Sequence, residues 1–220
     1  VAQSQGAEAV EVAARPADDA QPYGHDLKAF SEALEARQDI SLVFIANPNN
    51  PTGTSLSAAA VEAFLETVPP HVIVAYDEAY YDYITEPNYP SMISLVKQGK
   101  NVIVSRTFSK VYGLAGLRVG YLVARPDIAQ RIRANVMAKA NIMAVIGATA
   151  AMEDDAFYEM SLQKNTEAKK YIYRTLDELK LRYVPSHTNF IFFHTGKDIS
   201  WLNQQMRAKG VSIGRPFPPL

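Results

Sequence analysis

Lys110 stands in the stretch SRTFSKVYGLAGLRVG, residues 105–120, with the hydroxyls of Thr107 and Ser109 just before it and Arg118 eight positions after it. An apolar run, NVIVS, leads into the stretch, so the lysine falls where a buried strand should end. Asp77 closes another apolar run, VIVAY. A carboxylate at the end of a strand covered on both sides is costly unless a cation or a strong donor meets it. A plain Asp77–Lys110 ion pair is the bland account of both residues. The surroundings of the lysine suggest more: two hydroxyls, a bidentate arginine fork and glycines that let the backbone approach closely describe a phosphate cradle.

One ligand satisfies the cradle, the carboxylate and the lysine together. Pyridoxal 5'-phosphate has an aldehyde that condenses with an amine, a ring nitrogen that stays protonated against an acid, and a phosphate for the hydroxyls and the arginine. Its cationic ring withdraws electrons from the alpha carbon of a bound amino compound.

The elements that must position these groups follow from three short runs, LVFIA at 42–46, VIVAY at 72–76 and VIVS at 102–105, whose starts are 30 residues apart. That spacing is the length of a βαβ unit, and continuous β-branched runs are what parallel strands covered on both faces look like. Between the first two runs, SLSAAAVEAFLETV offers Ser55 or Ser57 as N-cap and apolar residues at helical spacing. Pro87 and Pro90 interrupt the next crossover and leave SMISLVKQ as a short helix. RVGYLVA reads as a further strand, and residues 126–153 as helix with an interruption near Asn141 to Gly147. An amphipathic helix is expected from Asp155 to about Arg182. Beyond Pro185, TNFIFFHT reads as a strand, SWLNQQMRAKG as a helix ended by Gly210, and VSIGRPF as extended.

The fold class is therefore α/β, a three-layer αβα arrangement on a mostly parallel sheet followed by the start of a small αβ domain. The expected division is a large domain over 1–150, a connecting helix over 151–182 and a small domain over 183–220. In such sheets ligands gather at the carboxyl ends of the strands. After the three runs come NPNNPTGTS, DEAYYDY and RTFSK, all polar and all at one edge.

Composition excludes other classes. With 48% hydrophobic residues and a net charge of −1, the chain has no basic excess for nucleic acid. It has no apolar run of membrane-spanning length and no basic, apolar leader at residue 1, so a cytoplasmic location is expected. Zero cysteines exclude thiolate metal sites, and the four scattered histidines form no helical pair, so no metal is expected. GVSIG, Gly210 to Gly214, fits the pattern of a serine nucleophile elbow, but Pro216, Pro218 and Pro219 forbid the helix that must follow it.

NPNNPTG, YDEAYYDY and SRTFSKVYGLAGLRVG together resemble the class I/II aminotransferases of fold type I, and YGHDL, SHTNFIFF and GVSIGRPF resemble their histidinol-phosphate aminotransferase branch. The resemblance runs through essentially the whole chain. It implies that Lys110 binds pyridoxal 5'-phosphate and shuttles the substrate's proton, and that Asp77 pairs with the ring nitrogen. Asn50 and Tyr80 would bond the ring's phenolic oxygen, while Thr107, Ser109 and Arg118 hold the phosphate. Arg215 would face a substrate phosphate, and Asn189 would approach the substrate carboxylate.

Each assignment has a plainer alternative. Asn50 and Gly53 could serve only to turn the chain around Pro51. Tyr81 or Tyr83 could be ordinary packing, Arg215 a surface arginine, and Asn189 a hydrogen-bonded structural residue.

The resemblance further implies a homodimer, with a partner's tyrosine reaching the phosphate, and an amino transfer from L-histidinol phosphate to 2-oxoglutarate. Aromatic amino acids are the next substrate class, a same-fold decarboxylase of a phosphorylated amino acid the next reaction, and a non-catalytic regulatory domain the next class of protein. Nothing in the chain matches the family's upstream glycine-containing turn or its carboxylate-gripping C-terminal arginine. The chain is accordingly expected to be the central part of a longer protein.

Overall fold

The computed structural model describes residue 3 and residues 6–86, 89–136 and 139–214. Four strands form the main sheet in the order of the sequence: β1 (Leu42–Ala46), β2 (Ile73–Asp77), β3 (Val102–Thr107) and β4 (Gly120–Val123). β1, β2 and β3 are parallel, and β4 returns antiparallel beside β3. The architecture is α/β, a mostly parallel sheet with flanking helices.

The register sorts side chains into two faces, because successive residues of a strand point to opposite sides. On one face Val43, Val74 and Val102 align, as do Ile45, Tyr76 and Val104. Helices α1 (Leu27–Ala36), α2 (Ala58–Thr67) and α3 (Ile93–Lys97) cover that face, packing Leu34, Val61, Phe64, Leu95 and Val96 into one core. Burying each such side chain fully is worth about 1.5–3 kcal/mol. The other face carries Leu42, Phe44, Ala46, Ala75, Asp77, Ile103 and Ser105. Leu42 and Phe44 are exposed there at 51% and 60%, so β1 alternates between covered and open positions instead of being covered on both sides.

The first crossover helix begins as its sequence requires, with Ser57 Oγ accepting from the Ala60 amide at 3.2 Å. Asp26 caps α1, a helix that periodicity alone did not mark out. After β4, α4 (Pro126–Asn135) ends well before the expected interruption, and α5 (Ile142–Met152) starts at an Asn141 cap and runs straight through Gly147. α6 (Asp155–Glu178) is one 24-residue helix that ends four residues short of Arg182.

The small tail contains β5 (Tyr183–Val184), β6 (Phe192–Phe193) and α7 (Ile199–Ala208). Only Phe192 and Phe193 of the expected TNFIFFHT strand pair with a neighbour, antiparallel to β5. Gly210 follows α7 with φ +77° and its amide on the Arg207 carbonyl, the expected left-handed stop.

Candidate functional site

Ala46 and Asp77 end β1 and β2 and lie side by side with Ser105, two residues before the end of β3. The loops that leave these ends bring the chemistry together. From the first loop, Asn50 Nδ2 donates to Tyr80 Oη at 3.0 Å. Tyr80 is buried, three residues past Asp77, and Lys110 Nζ sits 4.8 Å from the centroid of its ring. Three separate strand ends thus meet around one tyrosine.

Asp77 is anchored through a single oxygen. Its Oδ1 accepts from Ser105 Oγ at 2.8 Å and from the Ala79 amide at 3.1 Å, and Oδ2 has no hydrogen-bond donor among the described residues. The direct Asp77–Lys110 ion pair does not form within 4.0 Å among those residues, so the bland account fails: the cation stands over the Tyr80 ring instead. A carboxylate with one fixed oxygen and one free oxygen on the open sheet face suits the N–H of a ligand ring.

Thr107 ends β3 beside Gly120, and its Oγ1 accepts from the Ser109 amide at 3.0 Å, which fixes the turn that presents Ser109 and Lys110. Arg118 follows a 3₁₀ turn at Ala115–Leu117, in left-handed backbone at φ +54°. It is exposed, and one of its N–H groups donates to the Ala115 carbonyl at 2.9 Å, leaving most of the guanidinium fork available. Asn189 is exposed, and burial pushes the nearby Tyr83 hydroxyl up to about 12. Arg215 lies outside the described residues.

Several contributors escaped the sequence reading. Ser105 supports Asp77, whereas the 30-residue spacing of the runs would set Thr107 beside it; the actual register, offset by 28, carries that information only in the fold. Phe190 meets the Tyr80 ring edge-on at 5.3 Å, from a segment distant in sequence. Asn47, the first asparagine of NPNNPTG, is a structural hub and no part of the site. It is 1% exposed, donates to Tyr76 Oη at 2.6 Å and Tyr89 Oη at 2.8 Å, and accepts from the Leu56 amide at 2.7 Å.

Glu78, next to Asp77, points to the opposite face. There it accepts from Arg106 Nε at 2.8 Å and from the Met92 amide at 2.7 Å. Beside Asn50 and Phe190 opens a cleft of about 1180 Å³, lined also by Tyr23, Phe192 and Ile213.

A lysine, an acid with one oxygen that no described residue donates to, and a tyrosine hydroxyl bonded by an asparagine side chain gather where the parallel strands of an α/β protein end. The chain belongs to the class I and II aminotransferase family, whose model matches residues 1–219. It is 44% identical over 214 residues to the histidinol-phosphate aminotransferase of Moorella thermoacetica, a match that covers 96% of this chain and 53% of that protein.

Among solved structures, histidinol-phosphate aminotransferase from Sinorhizobium meliloti in complex with pyridoxal-5'-phosphate superposes with a TM-score of 0.79 at 33% identity, over 89% of this chain and 54% of that one. L-threonine-O-3-phosphate decarboxylase from Porphyromonas gingivalis superposes at 0.66 with 25% identity, over 77% of this chain and 52% of that one. The chain spans about half the length of the curated relatives it matches.

Proposed function

We propose that the protein is a pyridoxal-5'-phosphate-dependent aminotransferase that moves an amino group from L-histidinol phosphate to 2-oxoglutarate. The observation that carries this reading is the meeting of Lys110, Tyr80 and Asn50 at the strand edge that also ends in Asp77. The donor set fits the cofactor: Asp77 keeps Oδ2 for a ring N–H, Lys110 forms no ion pair among the described residues, and Arg118 has N–H groups to spare. When bound, the cofactor supplies an aldehyde for the amine and a cationic ring that draws electrons from the substrate's alpha carbon.

The chain's own residues do the rest. Lys110 Nζ, held over the Tyr80 ring, would carry the proton between the substrate's alpha carbon and the cofactor. Asp77 would accept the ring N–H and keep the ring cationic. Asn50 Nδ2 and Tyr80 Oη would hold the ring's phenolic oxygen, and Thr107, Ser109 and Arg118 would hold its phosphate. Asn189 approaches the substrate carboxylate and Arg215 the substrate phosphate. In this reading residues 1–150 form the cofactor-binding domain, 151–182 the connection and 183–220 part of the small domain. The enzyme works in the cytoplasm as a homodimer. No helix among the described residues is long and apolar enough to cross a membrane.

Lys110→Ala is the direct test. Full-length protein should lose the visible absorbance of lysine-bound cofactor and about a thousandfold or more in turnover. A Lys110→Ala protein that still transaminates would end the proposal. For the substrate, half-reaction rates with histidinol phosphate should exceed those with phenylalanine, and an equal or reversed preference removes histidinol phosphate.

A further inference from the structure

Lys169 has no part in the chemistry above, and yet it is buried. It lies on α6 with 8% of its surface exposed, and its Nζ donates to the Ser186 carbonyl at 2.9 Å. No carboxylate compensates it among the described residues, and burial alone pulls its pKa down. Ordering a lysine stem and desolvating its ammonium are both costly, and a leucine or methionine would fill the same space. The donor itself is therefore what the site uses.

Its neighbours on α6 act on the same segment. One turn earlier, Asn165 Nδ2 donates to the Thr188 carbonyl at 3.3 Å, and one turn later, Tyr173 Oη accepts from the Ser186 amide at 2.8 Å. Positions 165, 169 and 173 are spaced by four and share one face of the helix. Together they grip both backbone polar groups of Ser186 and the next carbonyl but one.

The gripped segment is wound tightly on its own hydroxyls. Ser186 Oγ donates to the Phe190 carbonyl at 2.5 Å and accepts from the Thr188 amide at 3.1 Å, while Thr188 Oγ1 reaches the same carbonyl at 3.1 Å. This loop ends in Phe190, whose ring meets Tyr80 edge-on. A second contact ties it to the first loop of the site, where the His187 amide donates to the Gly53 carbonyl at 2.8 Å.

We propose that Lys169 is a positioning residue for the cofactor ring: it holds the Ser186 carbonyl, the Ser186–Phe190 loop sets Phe190 against Tyr80, and that contact fixes the Tyr80 hydroxyl beside Asn50. The inference rests on the reading of Tyr80 as a group that holds the ring oxygen.

The test uses full-length protein with 3-fluorotyrosine at position 80. In the cofactor-free state, Lys169→Met should shift or broaden the fluorine resonance of that residue, and Lys170→Met, on the exposed side of the same helix, should leave it unchanged. In the cofactor arm, Lys169→Met should raise the dissociation constant of pyridoxal 5'-phosphate about tenfold, and in a Tyr80→Phe background the same change should cost under about twofold, because residues acting through one another are not additive.

An unmoved resonance, or a full loss of affinity that persists in the Tyr80→Phe background, overturns the proposal. Should Lys169→Met fail to fold, Lys169→Arg places a donor at a different reach: a shifted resonance supports the link and an unmoved one overturns it. If Tyr80→Phe alone leaves cofactor affinity unchanged while Lys169→Met still moves the resonance, the ring-oxygen reading fails and the mechanical link from Lys169 to Tyr80 stands.

Discussion

Two adjacent acids, Asp77 and Glu78, show how strand parity assigns different tasks to like residues. Asp77 points to the open face with one oxygen that no described residue donates to, whereas Glu78 is 1% exposed at its side chain and spends both oxygens on Ser91, Met92 and Arg106. Burial would lower the Arg106 pKa, but the charge and hydrogen bond of Glu78 outweigh it and leave it raised. Arg106 also lies over the Tyr81 ring at 4.1 Å, so the tyrosine next to Tyr80 serves packing. A buried pair is weak evidence of net stability, but removing one partner strands the other charge. Glu78→Gln should therefore cost about 3–5 kcal/mol of unfolding free energy in a urea titration. A loss under about 1 kcal/mol would show that the pair is solvated, contrary to its burial.

At the scale of elements, the site depends on how the tail segment lies on the first loop. Gly53 has φ +78°, and a Cβ there would come within 2.7 Å of Ser186 Oγ and 3.2 Å of Ser186 Cα. Because the clash includes Ser186 backbone that α6 already grips, neither side can yield easily. Gly53→Ala should destabilise the protein by about 1–3 kcal/mol from its left-handed backbone, with the clash adding to that loss. Thermal unfolding of the variant against Gly99→Ala, a left-handed glycine with open space around it, separates the contact from the conformational cost.

Much of this layout was legible in the sequence, since β1, β2 and β3 follow from three apolar runs at fixed spacing, and the loops after them carry the candidate site. Other parts were not. Gly147 reads as a helix break by propensity, yet α5 continues through it because the missing Cβ leaves room for Leu117 Cδ1, 3.0 Å from where that Cβ would sit. TNFIFFHT has the composition of a strand, but the hydroxyls of Ser186 and Thr188 capture nearby backbone groups and bend it away from pairing. Phe190 was invisible as a site residue because its role comes from a contact across about a hundred residues of chain, and no local pattern encodes that.

For the molecule as a whole, two histidines at the joints of the fold should make stability depend on pH near neutrality. His25 Nε2 bonds the Ala46 carbonyl at 2.8 Å, at the end of β1, and burial holds its pKa below the usual histidine value. His187 joins the tail segment to Gly53, and burial, reinforced by the charge of Lys169, lowers its pKa as well. Glu86 pulls the other way on His187 but does not reverse the shift. With folded values below the unfolded one, the unfolded chain binds protons first as pH falls, so stability is fully present above about pH 6.5 and declines below it. Surface carboxylates held low by arginine, such as Asp39 and Asp127, add their own loss only nearer the carboxylate range. Urea midpoints should therefore drop between about pH 7 and pH 5, with an unchanged denaturant slope. His25→Gln and His187→Gln should each flatten that drop. An undiminished drop in the double variant would place the proton uptake elsewhere and sink the assignment.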